Sequence, residues 1–337
     1  MINNQIVLSS RVRLARNYAD LPFNAAEKPE EAAVCIARTT NALTLSGERD
    51  HYHLIRMADL SDVQRRSLEE SHLVSRDLLR EPQTAAVLLH EGERDAVSIM
   101  MNEEDHLRIQ AICPGMDLLS AAQLCFRVDD ALSRQAEFAF DKQLGYLTAC
   151  PTNTGTGMRA SLLIHLPMLT QFKQMGSVGQ IVAKVGLTIR GVYGEGSDAL
   201  GNIYQVSNQV TLGRTEQELV SAVTTVGHQL SDMECALRDR AMRENHLATE
   251  DNIFRAWGLM KHARLMTLNE FYKHWSWVRM GASMAMLPVN LDVLDAMLEQ
   301  VQDAHLRAFA EQPLEGAALN EARASRIRSM LKLPSAV

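Results

Sequence analysis

Apolar residues recur along the chain with two different periods, and the change between them divides it. Val34, Ile36 and Leu43 lie among small residues in a stretch, 26–43, that reads as helix, and 59–80 reads as a second helical region. The period then shortens to two. Positions 85–90 and 96–101 are apolar runs joined by the polar turn 91–95, the pattern of an antiparallel hairpin. Another strand at 107–113 follows with no room for a crossover helix, so the sheet is expected to be largely antiparallel. Residues 118–140 read as a helix across the middle of the domain and 146–150 as a short strand. Residues 184–190 and 203–211 read as two more strands around a glycine-rich segment, 191–202.

Beyond residue 211 the helical period takes over. Thr215 and Glu218 form a capping box, each able to satisfy the other's free backbone N–H. Behind them Leu219, Val223, Val226, Leu230, Met233 and Leu237 recur at helical spacing, which predicts a long amphipathic core helix. From about 255 strand signals vanish. Thr267 and Glu270 make another capping box, and Asn290 is placed to cap a helix with Leu291, Leu294, Leu298 and Val301 on its apolar face. The expected fold is α/β: an antiparallel sheet flanked by helices over 1–254, then a small all-α domain over 255–337. Trp275, Trp277, Met280, Met284, Met286 and Leu287 suit either its core or a dimer face.

Composition narrows the function classes. The chain has 337 residues, 46% hydrophobic and 22% charged, as in ordinary globular proteins, and its net charge of −7 argues against nucleic acid or an anionic membrane as partner. Residues 1–17 carry Arg11, Arg13 and Arg16 and no apolar core of a secretion signal, and no apolar run approaches the ~20 residues of a membrane span. Five widely spaced cysteines without a CxxC pair give no zinc signature and fit a reducing compartment. The expected location is cytoplasmic.

Four segments break the apolar pattern with charge. Arg11, Arg13 and Arg16 alternate with small or apolar residues, so that Arg11 and Arg13 share a face if extended. Asn102, Glu103, Glu104, Asp105, His106 and Arg108 crowd between two apolar strands. Cys150-Pro-Thr-Asn-Thr-Gly-Thr-Gly-Met-Arg159 is expected to be a loop that runs into a helix. Arg190 ends a strand ahead of the glycine loop that carries Glu195. The glycines of that loop match a loose dinucleotide fingerprint, but a strand-like continuation from Gly201 replaces the helix the fingerprint needs. No GxxxxGK[ST] loop is present.

In this order the four segments resemble the signature blocks of the phosphagen (guanido) kinase family, nearest to its bacterial protein-arginine kinases. The resemblance covers about residues 5–330, firmly to about 250. It implies transfer of the γ-phosphoryl group of ATP to a guanidinium nitrogen. In such a reaction charge spreads over the phosphoryl oxygens, and arginine forks meet it bidentately. By motif match the ATP-binding residues are Arg11, Arg13, Arg108, Arg159 and Arg190, with His72 as a nucleotide contact. The complete set argues against a catalytically dead relative. Mg2+ is implied, held mainly by phosphates and water, with no direct protein ligand. A guanidinium has no free lone pair at neutral pH. Carboxylates must therefore clamp it, aim one nitrogen and accept its proton; by the same resemblance Glu104 and Glu195 match the family's pair, and Cys150 its substrate-site cysteine, which tunes the site.

Family kinases of free arginine or creatine carry an all-helical domain ahead of the arginine block. Here the block begins at Ser9, so the site is expected to admit arginine on a polypeptide. The alternatives are a kinase of a free guanidino compound, and a phosphoarginine-binding adaptor with vestigial catalysis. The resemblance also implies a homodimer, a role in protein quality control, an activator protein and protease or chaperone partners. One departure concerns regulation. The RDxxRA motif of protein-arginine kinases aligns with Leu319, Asn320, Glu321, Ala322, Arg323 and Ala324, so an allosteric phosphoarginine site would rest on Arg323 alone.

Overall fold

The computed structural model describes residues 3–23, 28–47, 51–92, 95–192, 199–308, 310 and 314–332. The catalytic-type half is one eight-stranded sheet. In chain order its strands are β1 (Val7–Arg16), β2 (His53–Arg56), β3 (Ala86–Glu91), β4 (Ala96–Met101), β5 (Leu107–Pro114), β8 (Met158–His165), β9 (Leu187–Gly191) and β10 (Ile203–Asn208). A two-residue hairpin, β6 (Phe140–Asp141) and β7 (Gly145–Tyr146), stands apart. The spatial order is β2-β3-β4-β5-β1-β8-β10-β9, and every pairing is antiparallel, as the short connections require.

The helices are α1 (Asn3–Ile6), α2 (Pro29–Leu45), α3 (Asp62–Glu70), α4 (Leu118–Ser133), α5 (Pro167–Gln171), α6 (Met175–Lys184), α7 (Glu216–Glu244), α8 (His246–His262), α9 (Leu268–Ser283), α10 (Leu291–Gln300), α11 (Asp303–Ala308) and α12 (Gly316–Met330). The central strand β1 explains the layering. Its even positions Val12 and Leu14 are fully buried and face Ala111 and Ile109 of β5 and Ala160 and Met158 of β8. Helices α4 and α7 cover that apolar side. Its odd positions Arg11 and Arg13 belong to the opposite side, because successive strand residues point to opposite faces.

The capping boxes of Thr215 with Glu218 and Thr267 with Glu270 are both formed, and Asn290 caps α10. Trp275 and Met280 are fully buried, with Trp275 donating Nε1–H to the Leu294 carbonyl at 2.7 Å, so this stretch is mainly core.

Several expectations need correction. Residues 158–165 form the strand β8 and not a helix. Six of its eight residues are buried, so no polar period betrayed it. Gly157 before it has φ +63°, and an added Cβ would stand 2.6 Å from the Ala15 carbonyl, so only glycine lets the loop enter β8 alongside β1. The second helical region shrinks to Asp62–Glu70, because His72 turns left-handed at φ +59° and Leu73 and Val74 fold back onto Leu68. The helix expected over 118–140 ends at Ser133, and of the strand expected over 146–150 only Tyr146 pairs, with Phe140 and Gly155.

Candidate active site

The register places all five motif arginines on the same side of the sheet. Arg13 on β1 stands opposite Arg159 on β8 and Gln110 on β5. Arg108 follows two residues before Gln110, facing Ala15. Arg11 faces Ser161, which faces Ser207 of β10, and Arg190 of β9 faces Gln205, two residues from Ser207. Opposed residues in antiparallel strands share a face, and so do residues two apart. Arg159 was expected on a helix; as part of β8 it joins the others.

These cations work against one another. Burial above all, and then Arg11, Arg108 and Arg159, push the Arg13 guanidinium well below its ordinary pKa, with Glu103 opposing them. Burial and then the charges of Arg190 and Arg108 likewise lower Arg159. Arg159 donates from Nη2 to Ser207 Oγ at 3.0 Å, while its buried Nε–H has no acceptor among the described residues. Concentrated, mutually repelling guanidinium groups with a spare donor are a cradle for a polyanion.

A cavity of about 550 Å³ opens over this face, walled by Arg11, Arg13, His72, Gln110 and Gln302. Gln110 fixes its rim by donating to the His72 carbonyl at 2.8 Å. Burial first, then Arg11, brings His72 down to about 4, so its ring is neutral at pH 7.

The carboxylates come from the turn between β4 and β5. Glu103, buried, pairs with Arg108 Nη1 at 2.6 Å, and exposed Glu104 lies 3.9 Å from Arg108 Nη2. Burial raises the Glu103 carboxyl above its usual range, and Arg108 only partly offsets this. Asp105 and His106, in the same motif, have structural tasks. Asp105 Oδ1 accepts from Asn17 Nδ2 at 2.6 Å and from the Ala149 N–H at 2.7 Å, tying the Glu104 turn to the Cys150 loop. His106 Nδ1 accepts from the Tyr18 N–H and its Nε2–H donates to the Pro22 carbonyl, which fixes its tautomer. Arg16 is also structural, paired through two nitrogens with Asp129 at 2.9 Å beneath Tyr146.

Cys150 is half-buried, with Sγ 3.0 Å from Thr152 Oγ1. Thr211 donates to the Thr154 carbonyl at 2.6 Å and so pins this loop to the end of β10. Glu195 lies outside the described residues.

Sequence reasoning missed Glu103 as the buried partner of Arg108, and Gln110. The latter was legible as a polar residue two positions from Arg108 in an apolar strand. Arg323 is not at this face. Its guanidinium is buried in the helical half, donating to the carbonyls of Val301 (2.9 Å) and Met266 (3.1 Å), to Asn320 Oδ1 (2.9 Å) and to Asp303. These bonds engage four of its five N–H groups.

A sheet face with clustered arginines beside carboxylates is the site of a phosphotransferase. Residues 35–237 match the family model described as ATP:guanido phosphotransferase, C-terminal catalytic domain, and 246–336 match that of the protein-arginine kinase McsB C-terminal domain. The chain belongs to the ATP:guanido phosphotransferase family. It is 40% identical over 310 residues to the protein-arginine kinase of Caldanaerobacter subterraneus subsp. tengcongensis, covering 90% of each chain. It is 38% identical over 333 residues to that of Bacillus velezensis, covering 98% of this chain and 91% of the other. Among solved structures, a lombricine kinase superimposes with a TM-score of 0.59 at 27% identity, over 70% of this chain and 68% of that one. The duplicated taurocyamine kinase from Schistosoma mansoni gives 0.61 at 27% identity, over 71% of this chain and 34% of that one.

Proposed function

We propose that this chain is an ATP-dependent protein-arginine kinase, transferring the γ-phosphoryl group of ATP to a guanidinium nitrogen of arginine residues in proteins. The observation that carries the reading is the set of five mutually opposed arginines on one sheet face. The resemblance to named protein-arginine kinases over nearly the whole chain supplies the acceptor.

In this mechanism Arg11, Arg13, Arg108, Arg159 and Arg190 hold the triphosphate and the charge that develops on the transferring group. His72, neutral at pH 7, contacts the nucleotide without adding charge. Glu104 and Glu195 clamp the guanidinium, aim one nitrogen and take its proton, and Cys150 acts as a tuning group. Orientation is the main contribution of such a clamp, worth up to ~7–11 kcal/mol. Glu103 and Glu104 are both already drawn to Arg108. That arrangement suits a magnesium ion brought in on the nucleotide and held mainly by phosphate oxygens and water. The ion would neutralise phosphate charge.

Sequence matches end and begin on either side of Asn245, the joint between α7 and α8, and we place the domain division there. The helical half is the proposed dimerisation unit.

The test is incubation with ATP and magnesium in the presence of an unstructured arginine-rich protein or of free arginine. Acid-labile phosphate on the protein is the expected result. Phosphate on free arginine alone would replace the reading with that of a free-guanidine kinase, the acceptor class of the lombricine and taurocyamine kinases.

A further inference from the structure

A polar joint between the two halves lies at the edge of the cavity, where Glu70 is one of the lining residues. Glu70, the last residue of α3, accepts from the backbone N–H groups of Ala304 (2.9 Å) and His305 (3.0 Å), and from His305 Nδ1 (2.9 Å). The other ring nitrogen, Nε2, stands 3.0 Å from Glu299 Oε1, and Ser71 Oγ donates to that same carboxylate oxygen at 2.5 Å. His305 thus bridges a carboxylate from the catalytic half and one from the helical half. Both ring nitrogens face carboxylate oxygens, so the geometry calls for an imidazolium, a donor at each end.

What this joint holds is the end of α3. Ser71 is inside the cluster, and the next residue is His72, whose ring and neighbours wall the arginine cavity. His72 keeps a left-handed backbone, φ +59°, that a residue other than glycine adopts only when its surroundings enforce it. Two constraints enforce it here. Gln110 grips its carbonyl from the sheet, and the Glu70–His305–Glu299 joint grips the residues before it from the helical half. Gln302, one helix end from His305, reaches the same cavity while anchored to Tyr272 Oη and the Leu298 carbonyl.

We propose that His305, Glu70 and Glu299 are positioning residues for nucleotide binding: the joint they form lets the helical half hold the His72 wall of the arginine cavity. The inference rests on reading that cavity as the nucleotide site. Other charged groups around the joint fit this task. Arg323 and Asp303 satisfy each other behind it, Glu299 also faces His72, and Arg11 faces His72 from the sheet. Burial lowers His305, but its hydrogen bonds to Glu299 and Glu70 and their negative charges together outweigh this and raise it to about 9, so the bridge stays charged through neutral pH. His305 and Glu299 do not line the cavity, whereas Glu70 does, so loosening the joint at His305 or Glu299 is expected to weaken nucleotide binding and leave the chemical step intact.

The experiment compares the full-length wild type with His305→Ala, Glu299→Gln and, as a control, Asp295→Asn. The control breaks the buried Arg279 pair elsewhere in the helical half. Steady-state rates with a protein substrate and direct titration with MgATP are measured for each. His305→Ala and Glu299→Gln are expected to raise KM and Kd for ATP about tenfold, the scale of one lost charge-assisted bond, with kcat at saturating ATP within about twofold. Asp295→Asn is expected to lower the unfolding temperature and leave KM for ATP unchanged. If His305→Ala does not fold, Glu299→Gln carries the test alone. Wild-type affinity for ATP in both joint variants, or an equal rise in KM in the control, would overturn the positioning role. A wild type that binds no nucleotide would instead overturn the reading of the cavity itself, and the joint's role with it.

Discussion

Arg13 illustrates how function and stability diverge at single residues. Its guanidinium is buried among three like charges, an arrangement that costs folding free energy and becomes favourable only when an anion arrives. Arg13→Met keeps the length and apolar stem and removes the repulsion. Its expected effect is an unfolding temperature equal to or above that of the wild type without nucleotide, with the stabilisation by MgATP lost. A thermal scan with and without nucleotide checks both halves. Glu104→Gln is expected to lower kcat about 10²–10⁴-fold, the usual cost of a lost general base, while Kd for ATP stays within a few-fold. Cys150→Ser is expected to cost less than that, because the thiol tunes the site and takes no proton in this mechanism. Rates at saturating ATP rank the two variants directly. Glu104 was singled out in the sequence because it stands in a charged block between apolar strands, and Arg13 because arginines alternate there with small and apolar residues. Glu103 was not singled out, since nothing local tells which of two adjacent glutamates turns inward; its pairing with Arg108 decides that.

At the scale of elements, local signals read true and non-local ones did not. Both capping boxes and the hairpin β3–β4 depend on residues a few positions apart, and both are formed. The strand β8 depends on neighbours far away. With β1 on one side and β10 on the other, and helices over one face, most of its residues are buried, so the period-two pattern that marks a half-buried strand is erased. The early end of α3 is equally non-local, enforced by the joint with α11. Arg323, on which a phosphoarginine site would rest, ties α12 to the ends of α10 and α11 and to the α8–α9 connection through its own bonds. Arg323→Ala would leave those carbonyls and Asp303 without their donor. Asp303 is half exposed, so the expected destabilisation is that of buried carbonyls left without a donor, about 1–3 kcal/mol, measured by denaturant unfolding. Added phosphoarginine is expected to leave the activity of the wild type unchanged, since Arg323 is already engaged and Leu319 and Asn320 bring no charge.

Over the whole molecule, His305 is shifted up and His72 down, and burial lowers His106, His165 and His274 in the same direction as His72. His72 is held near 4 in the folded chain, so acid below the ordinary histidine range of about 6.5 protonates the unfolded chain first and lowers stability. His305 is raised to about 9, so its contribution is complete below about 6.5 and is lost as pH climbs toward 9. Thermal stability is expected to decline on the alkaline side of neutrality in the wild type, and to lose that decline in His305→Ala. Among the described residues no helix is long and apolar enough to cross a membrane. Against a net charge of −7, five arginines converge on one sheet face, a local concentration of positive charge suited to an anionic ligand.

The central claim is that this face transfers phosphate to a guanidinium nitrogen. It is tested most directly by mass spectrometry of an arginine-rich protein after incubation with the enzyme and MgATP, under conditions that preserve P–N bonds. The account predicts phosphate on arginine side chains, lost on acid treatment and absent when Arg108→Ala or Glu104→Gln replaces the wild type. Acid-stable phosphate on hydroxyl side chains, or arginine phosphorylation undiminished in those variants, would contradict it.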